Sequence, residues 1–272
     1  MKRRQIIQYA GASLLTTTAT LFSSKLVASP NKPKPKSDNY LLVQWLGHTC
    51  FFLTEPNGLR ILINPFRSIG CTKGYPLPRV EADLVLISSQ LWDEGAVEGL
   101  PGNPKVLFEA GNYDIKGFRL QGVEIAHDRK GGRQFGMNVA WRWNQGGLKI
   151  VHLGGAAAAI ELEQKILLGS PDLAFIPVGG GAKAYNPEEA KQALTILNPK
   201  VMIPTQYLTN AADPSNCDLS KVDEFLKLVS GMNIRQIEDN KLRLKVADLP
   251  PKGTLIRVFS DSPLLSKPTE KK

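Results

Sequence analysis

The chain has 272 residues, 42% of them hydrophobic and 22% charged, with 24 Gly and 19 Pro. This is ordinary globular material, long enough to bury a large core in one domain. The net charge of +9 sits mostly in the ends, and the body between residues 40 and 260 is left at +2. That balance leaves no electrostatic footprint for nucleic acid.

The N-terminus reads as a leader. MKRRQIIQYAGASLLTTTATLFSSKLVAS has a basic start, an uncharged stretch from Ile6 to Phe22, and small residues near Ala28. It is too short and too rich in Thr and Ser for a membrane span, so no stable span is expected after processing. Arg3-Arg4 followed by Gln5-Ile6-Ile7 resembles a twin-arginine export signal, with Lys25 close to the cut. A general secretory signal or an uncleaved anchor is the alternative. The expected destination is the periplasm or an equivalent extracytoplasmic compartment. Residues 29–39, SPNKPKPKSDN, form a solvated Pro/Lys linker, and residues 261–272 a polar tail. The three cysteines, Cys50, Cys71 and Cys217, lie far apart with no CxxC. One disulfide with a spare thiol is possible, but buried free thiols are the favoured reading.

The body opens on strands at 40–46, 50–55 and 59–65, the latter pair turning on Pro56-Asn57-Gly58. Short buried strands follow at Leu84–Ile87 and Lys105–Phe108, and Gly122–Ala126 leads into His127. Residues 137–155 form a second hairpin turning at Asn144-Gln145-Gly146-Gly147. A helix is predicted over Ala156–Leu168, ended by Gly169 and Pro171. DLAFIPVGGG is a buried strand with a glycine exit. A helix capped by Asn186, with Pro187, Glu188 and Glu189 in its first turn, runs to Asn198-Pro199. A strand at 200–206, a helix at Leu219–Ser230 and a strand at 254–260 complete the series. Hairpins followed by alternating strands and helices predict mixed sheets with helices outside.

The order of these motifs resembles the metallo-β-lactamase superfamily, in the branch of ascorbate-6-phosphate lactonase-like metal-dependent hydrolases. VQWLGHTCFFLTEPNGLRILINPF is similar to the opening strands of that branch, with His48 in its Gly-His turn and Asn64 where the branch has Asp before Pro. PVGGGAKAYNPEEAKQALTILNPKVMIPTQY is similar to its late strand–glycine–helix–strand unit. The resemblance implies a four-layered αββα sandwich of the α/β (α+β) class, with one or two zinc ions at the edge between the sheets activating water.

Laid on this chain, the family's HxHxDH motif falls on Ser89, Leu91, Asp93 and Glu94, so that only Asp93 is kept. The next family histidine falls on His127, the bridging aspartate on Gly155, and the last histidine on Gln206. The chain has three histidines in all, the third being His152. The resemblance therefore implies a degenerate site, lined by His48, Asn64, Ser89, Leu91, Asp93, Glu94, His127, Gly155 and Gln206.

The main expectation is an exported protein with no metal and no cofactor, its cleft reused for a small molecule or a protein partner. The alternative is a hydrolase of lactones, esters or phosphoesters holding one zinc or other divalent metal on Asp93, Glu94 and His127, with His48 beside them. Several bland readings stand next to these. Asp93 and Glu94 could cap a helix starting there, or work as an acid–base pair. His48 and His152 could be satisfied core histidines, and His127 a hydrogen-bonded pocket histidine. Ser88 or Ser89 as a nucleophile would need a base and an oxyanion hole that the sequence does not display. Gly179-Gly180-Gly181 lacks the Lys and spacing of a phosphate loop and reads as close backbone passage. Trp141 and Trp143 share one strand face, as core or as a stacking surface.

Overall fold

The structure, a computed structural model, describes residues 39–56 and 58–265. The leader, most of the linker, Asn57 and the end of the tail lie outside the described residues. The body opens with β1 (Leu41–Gly47), β2 (Cys50–Thr54) and β3 (Ile61–Ile63), an antiparallel series as expected from the hairpin signal. β4 (Leu84–Leu86) and β5 (Lys105–Leu107) add to it in parallel. β6 (Gly111–Ile115), β7 (Phe118–Ala126), β8 (Met137–Gln145) and β9 (Leu148–His152) form an antiparallel meander. The β8–β9 connection is the two-residue loop Gly146-Gly147, with φ of 60° and 80°. Both residues need positive φ in a type I′ turn, which only glycine supplies without strain.

The second half alternates: α1 (Leu162–Leu168), β10 (Leu173–Pro177), α2 (Pro187–Leu197), β11 (Val201–Thr205) and α3 (Val222–Leu228). β12 (Asn233–Ile237), β13 (Lys241–Leu244), β14 (Leu255–Phe259) and α4 (Ser262–Leu265) complete the described chain. The strands form two mixed sheets, ordered β13-β1-β2-β3-β4-β5 and β12-β14-β11-β10-β9-β8-β7-β6. β10 and β11 are buried along their whole length, as parallel strands covered on both faces should be.

One core joins the sheets. Phe51 of β2 lies 4.5 Å from Phe175 of β10, and Trp45 of β1 lies 6.0 Å from Phe259 of β14, ring centre to ring centre. The mixed sheets and outer helices make this α/β sandwich a single domain. Trp141 and Trp143 are both buried, Trp141 donating to the Ile87 carbonyl at 3.1 Å, so they are core.

α2 starts where its signals place it. Asn186 accepts from the Glu189 N–H and Glu189 accepts from the Asn186 N–H, both at 2.8 Å, a reciprocal cap. α1 is shorter than expected. Residues 156–160 stay outside the helix because their groups find partners elsewhere: Ala157 and Ala158 donate to the Ala126 carbonyl, and Tyr185 donates to the Ala158 carbonyl. No helix forms at Asp93; residues 92–94 make a turn in which Glu94 and Gly95 donate to the Leu91 carbonyl. The helix-capping reading of Asp93 and Glu94 is thereby corrected.

The favoured cysteine reading is also corrected. Cys71 and Cys217 form a disulfide, while Cys50 is free and buried. Two loops far apart in sequence meet there through polar contacts that spacing alone could not reveal. Gly74 donates to the Ala211 carbonyl at 2.7 Å, and Lys73 pairs with Asp213 at 2.8 Å.

Candidate functional site

Strand ends of both sheets converge on one spot. β1 delivers His48, β4 leads into Ser88, Ser89, Asp93 and Glu94, β7 leads to His127, β9 leads to Gly155, and β11 leads to Gln206. His48, Asn64 and Gln206 all have left-handed backbone, with φ of 54°, 48° and 51°. Such φ values are uncommon outside glycine and gather where a site fixes its loops.

The centre is a buried ion pair. His127 Nε2 and Glu94 Oε2 are 3.3 Å apart, and both residues are fully buried at 0% exposure. Ser89 Oγ donates to the same carboxylate oxygen at 3.0 Å. Burial opposes charge on both members, but each partner's charge overrides it. Glu94 is held below and His127 above its ordinary pKa. Beside them Lys183 Nζ donates to Asp93 Oδ2 at 2.5 Å. Burial raises the Asp93 pKa, yet the Lys183 ammonium, with His48, holds it below its usual value.

Gly155 sits against this cluster. A Cβ there would stand 2.3 Å from His127 Cε1, 2.4 Å from Glu94 Oε1 and 3.0 Å from the Lys183 carbonyl oxygen. The position aligned with a bridging aspartate thus points into the site, but the space belongs to the ion pair and to the loop that carries Lys183. Asn138 Oδ1 accepts from the Gly155 N–H at 2.9 Å and fixes it there.

A cap closes the site. Arg129 donates to both carboxylate oxygens of Glu189 and to the carbonyls of Gly181 and Ala184, the latter at 2.8 and 3.0 Å. Asp218 accepts from the Ala182 N–H at 2.9 Å. Gln206 Nε2 reaches the Lys183 carbonyl at 3.4 Å. Gly179 passes so close to Gln206 that a Cβ would meet its carbonyl oxygen at 2.2 Å, so the glycine run serves close backbone passage. His48 is 3% and Gln206 2% exposed. The site is a cluster buried at Glu94 and His127, with Asp93 and Lys183 at its part-exposed rim.

The remaining predicted residues divide. Asn64 accepts from the Ser88 N–H at 2.8 Å and supports the loop after β4 from below. Leu91 is half-buried and heads the turn to Glu94. His152 is a satisfied core histidine: Nδ1 accepts from the Gly154 N–H at 3.0 Å, so Nε2 donates to the Thr49 carbonyl at 3.1 Å. Burial brings its pKa down to about 4. Asp128, next to His127, accepts four backbone N–H groups from Lys130 to Phe135. Burial works against its charge, but those donors pull its pKa down to about 2.

Lys183, Arg129 and Asp128 are missed by sequence reasoning, because each acts through a loop. AHDRKGG and GGGAKAYN are visible motifs, but nothing in either says that the two loops touch.

A zinc pair needs several deprotonated nitrogen, sulfur or carboxylate donors around an open position. Glu94 is engaged by His127 and Ser89, and Asp93 by Lys183. Gly155 and Leu91 offer no donor atom, and Gln206 offers only an amide. Among the described residues no group of three or more His, Cys, Asp or Glu is arranged to hold a metal ion. The residues present do not offer the donor set of the family's two-metal centre.

Two mixed sheets sharing a core, with their strand ends meeting at one polar cluster, define a metallo-β-lactamase-fold protein. Residues 42–206 match the model of the Beta-lactamase superfamily domain, and the chain belongs to that family. It is 29% identical to the UPF0173 metal-dependent hydrolase of Thermococcus onnurineus over 215 residues, 69% of this chain and 91% of that one. A metallo-β-lactamase superfamily structure from Thermotoga maritima is similar with a TM-score of 0.64 at 30% identity, over 80% of this chain and 98% of that one. The metallo hydrolase Igni18 of Ignicoccus hospitalis shares the fold at 18% identity and a TM-score of 0.56, over 76% of this chain and 99% of that one.

Proposed function

We propose that this chain is an exported, metal-free member of its family, with a structural ion-pair cluster in the place of the hydrolytic centre. The observation that carries this reading is the commitment of the site's two carboxylates to protein cations, Glu94 to His127 and Asp93 to Lys183. With the old centre filled by these pairs, a small-molecule or protein ligand would bind beside it. A cavity of about 560 Å³ is lined by Tyr207, the residue after Gln206, with Asn210, Lys221, Gln236 and Asp261 among others. The Cys71–Cys217 disulfide supports export, since such bonds persist in oxidising compartments. The test is metal content: mature protein dialysed after zinc loading should hold far less than one zinc per chain. Stoichiometric zinc that disappears in His127→Ala would refute the reading.

A second reading has its own support. The relatives are named metal-dependent hydrolases. Buried His48 Nε2, Glu94 Oε1, Gln206 Oε1 and both ring nitrogens of His127 also lack a hydrogen-bond partner, the His127–Glu94 contact being an ion pair only. On this reading a single divalent ion would sit among them, and the chain would be a hydrolase with a rewired mononuclear site. The same zinc measurement separates the two.

A further inference from the structure

Lys183 has no part in the family's metal chemistry as the sequence suggests it, yet its ammonium lies among the site's carboxylates. We propose that Lys183 is the site's resident cation, replacing the metal charge, and that its loop and Gly155 form one unit that shuts metal out. The inference rests on the metal-free reading and explains how such a site stays stable.

Two buried carboxylates side by side need compensating positive charge, because unpaired charge away from water is costly. His127 supplies one, against Glu94. Lys183 supplies the other at 2.5 Å from Asp93, with the two side chains only 27% and 18% exposed. Its field reaches further, acting on Glu94, His127 and His48 as well. Two carboxylates and two cations balance with no ion added.

Steric evidence is independent of charge. The Lys183 carbonyl lies 3.0 Å from where a residue-155 Cβ would be. An aspartate at 155 would press the cap back by a few tenths of an ångström and would collide outright with the His127 and Glu94 side chains, at 2.3 and 2.4 Å from its Cβ. Arg129 and Asp218 then hold the loop down.

The orphaned acceptors give the consequence. Glu94 Oε1, Gln206 Oε1 and His48 Nε2 are buried without partners, close to where Lys183 holds its charge. Removing the ammonium while keeping the side chain's bulk should leave a net negative, acceptor-rich pocket, open to a divalent ion.

The experiment uses the mature full chain as wild type, Lys183→Met, Lys183→Arg, and Lys183→Met with Asp93→Asn. Zn²⁺ and Mn²⁺ are the probes, read by calorimetric titration, bound metal after dialysis and melting temperature. Wild type and Lys183→Arg should take up neither ion. Lys183→Met should unfold more readily, by about tenfold in the equilibrium constant, and bind Zn²⁺ at least tenfold more tightly than wild type. Adding Asp93→Asn should abolish that gain and restore stability. If Lys183→Met proves too unstable to purify, the double variant must still fold, and its failure to do so overturns the proposal. A folded Lys183→Met that binds no more metal than a metal-free wild type overturns the role of Lys183 alone. Stoichiometric zinc in the wild type overturns the metal-free reading first, and the inference with it.

Discussion

Gly155 offers the sharpest perturbation of the centre. In Gly155→Ala the new methyl would stand 2.3 Å from His127 Cε1 and 2.4 Å from Glu94 Oε1, where contact begins near 3.4 Å. The His127 ring and the Glu94 carboxylate must each retreat by about 1 Å, and the Lys183 carbonyl at 3.0 Å crowds the remaining side. Overpacking of this kind costs about 1–3 kcal/mol. Forcing a buried ion pair apart adds to that, since an uncompensated partner costs about 3–5 kcal/mol. A loss of about 3 kcal/mol or more is the expected outcome, or about 6–12 °C in melting temperature for a domain of this size. Gly155→Asp should be worse than Gly155→Ala, because it brings a third carboxylate beside Glu94 with no cation free to meet it. Thermal and urea unfolding of both variants, with and without zinc, tests this. Added zinc should rescue neither, because a ligand stabilises only by binding the folded state. If Gly155→Asp melts at or above Gly155→Ala once zinc is added, the site can still be opened to metal, and the ion-pair-cluster account is wrong.

Other outcomes can be measured on the same material. His152 is neutral in the fold, with a pKa of about 4 against 6.5 unfolded, so its contribution is complete above pH 6.5 and lost as pH falls toward 4. That is about 3 kcal/mol at the acid end, and denaturant melts of His152→Gln should show a flatter pH slope over that window. Replacing Cys71 and Cys217 together by Ala should cost about 2–5 kcal/mol, the range for a native disulfide. Native protein should show no accessible thiol, with one thiol appearing on denaturation. Changing Arg3 and Arg4 to Lys should hold the precursor inside the cell on fractionation, and normal processing of that variant would sink the twin-arginine proposal.

Much of the fold is legible because period and punctuation agree. The β8–β9 hairpin, the α2 cap and the buried β10 and β11 strands all follow from local residues. β6, β12 and β13 are not legible, since GNYDI, NIRQI and KLRL are short and largely exposed. They are strands because a neighbouring edge offers hydrogen bonds. The site divides in the same way. The positions of His48, Asn64, Glu94, His127, Gly155 and Gln206 at strand ends follow from the motif order. That Glu94 pairs with His127, and that Lys183 neutralises Asp93, depends on how the 127–136 and 179–186 loops fold over one another. Local sequence carries no signal for that.

On the proposed metal-free reading, the strained backbone has to hold its course without a metal. Left-handed conformations at His48, Asn64 and Gln206 cost of order 1–3 kcal/mol each, and a bound metal would be one way to offset them. Here each is held by contacts that involve no ligand. Trp45 Nε1 donates to the His48 carbonyl at 3.1 Å, Asn64 Oδ1 takes the Ser88 N–H at 2.8 Å, and the Gln206 carbonyl takes the Gly179 N–H at 3.0 Å. These bonds tie the first sheet to its own exit loops and β11 to the glycine run. They belong to the sandwich rather than to the metal centre. Side chains at the strand ends can therefore change from imidazole to serine, leucine or glutamine while the loops keep their course. The charge left behind must still be balanced. On that reading Lys183, from an adjacent loop, meets the requirement by pairing with Asp93 without disturbing either sheet.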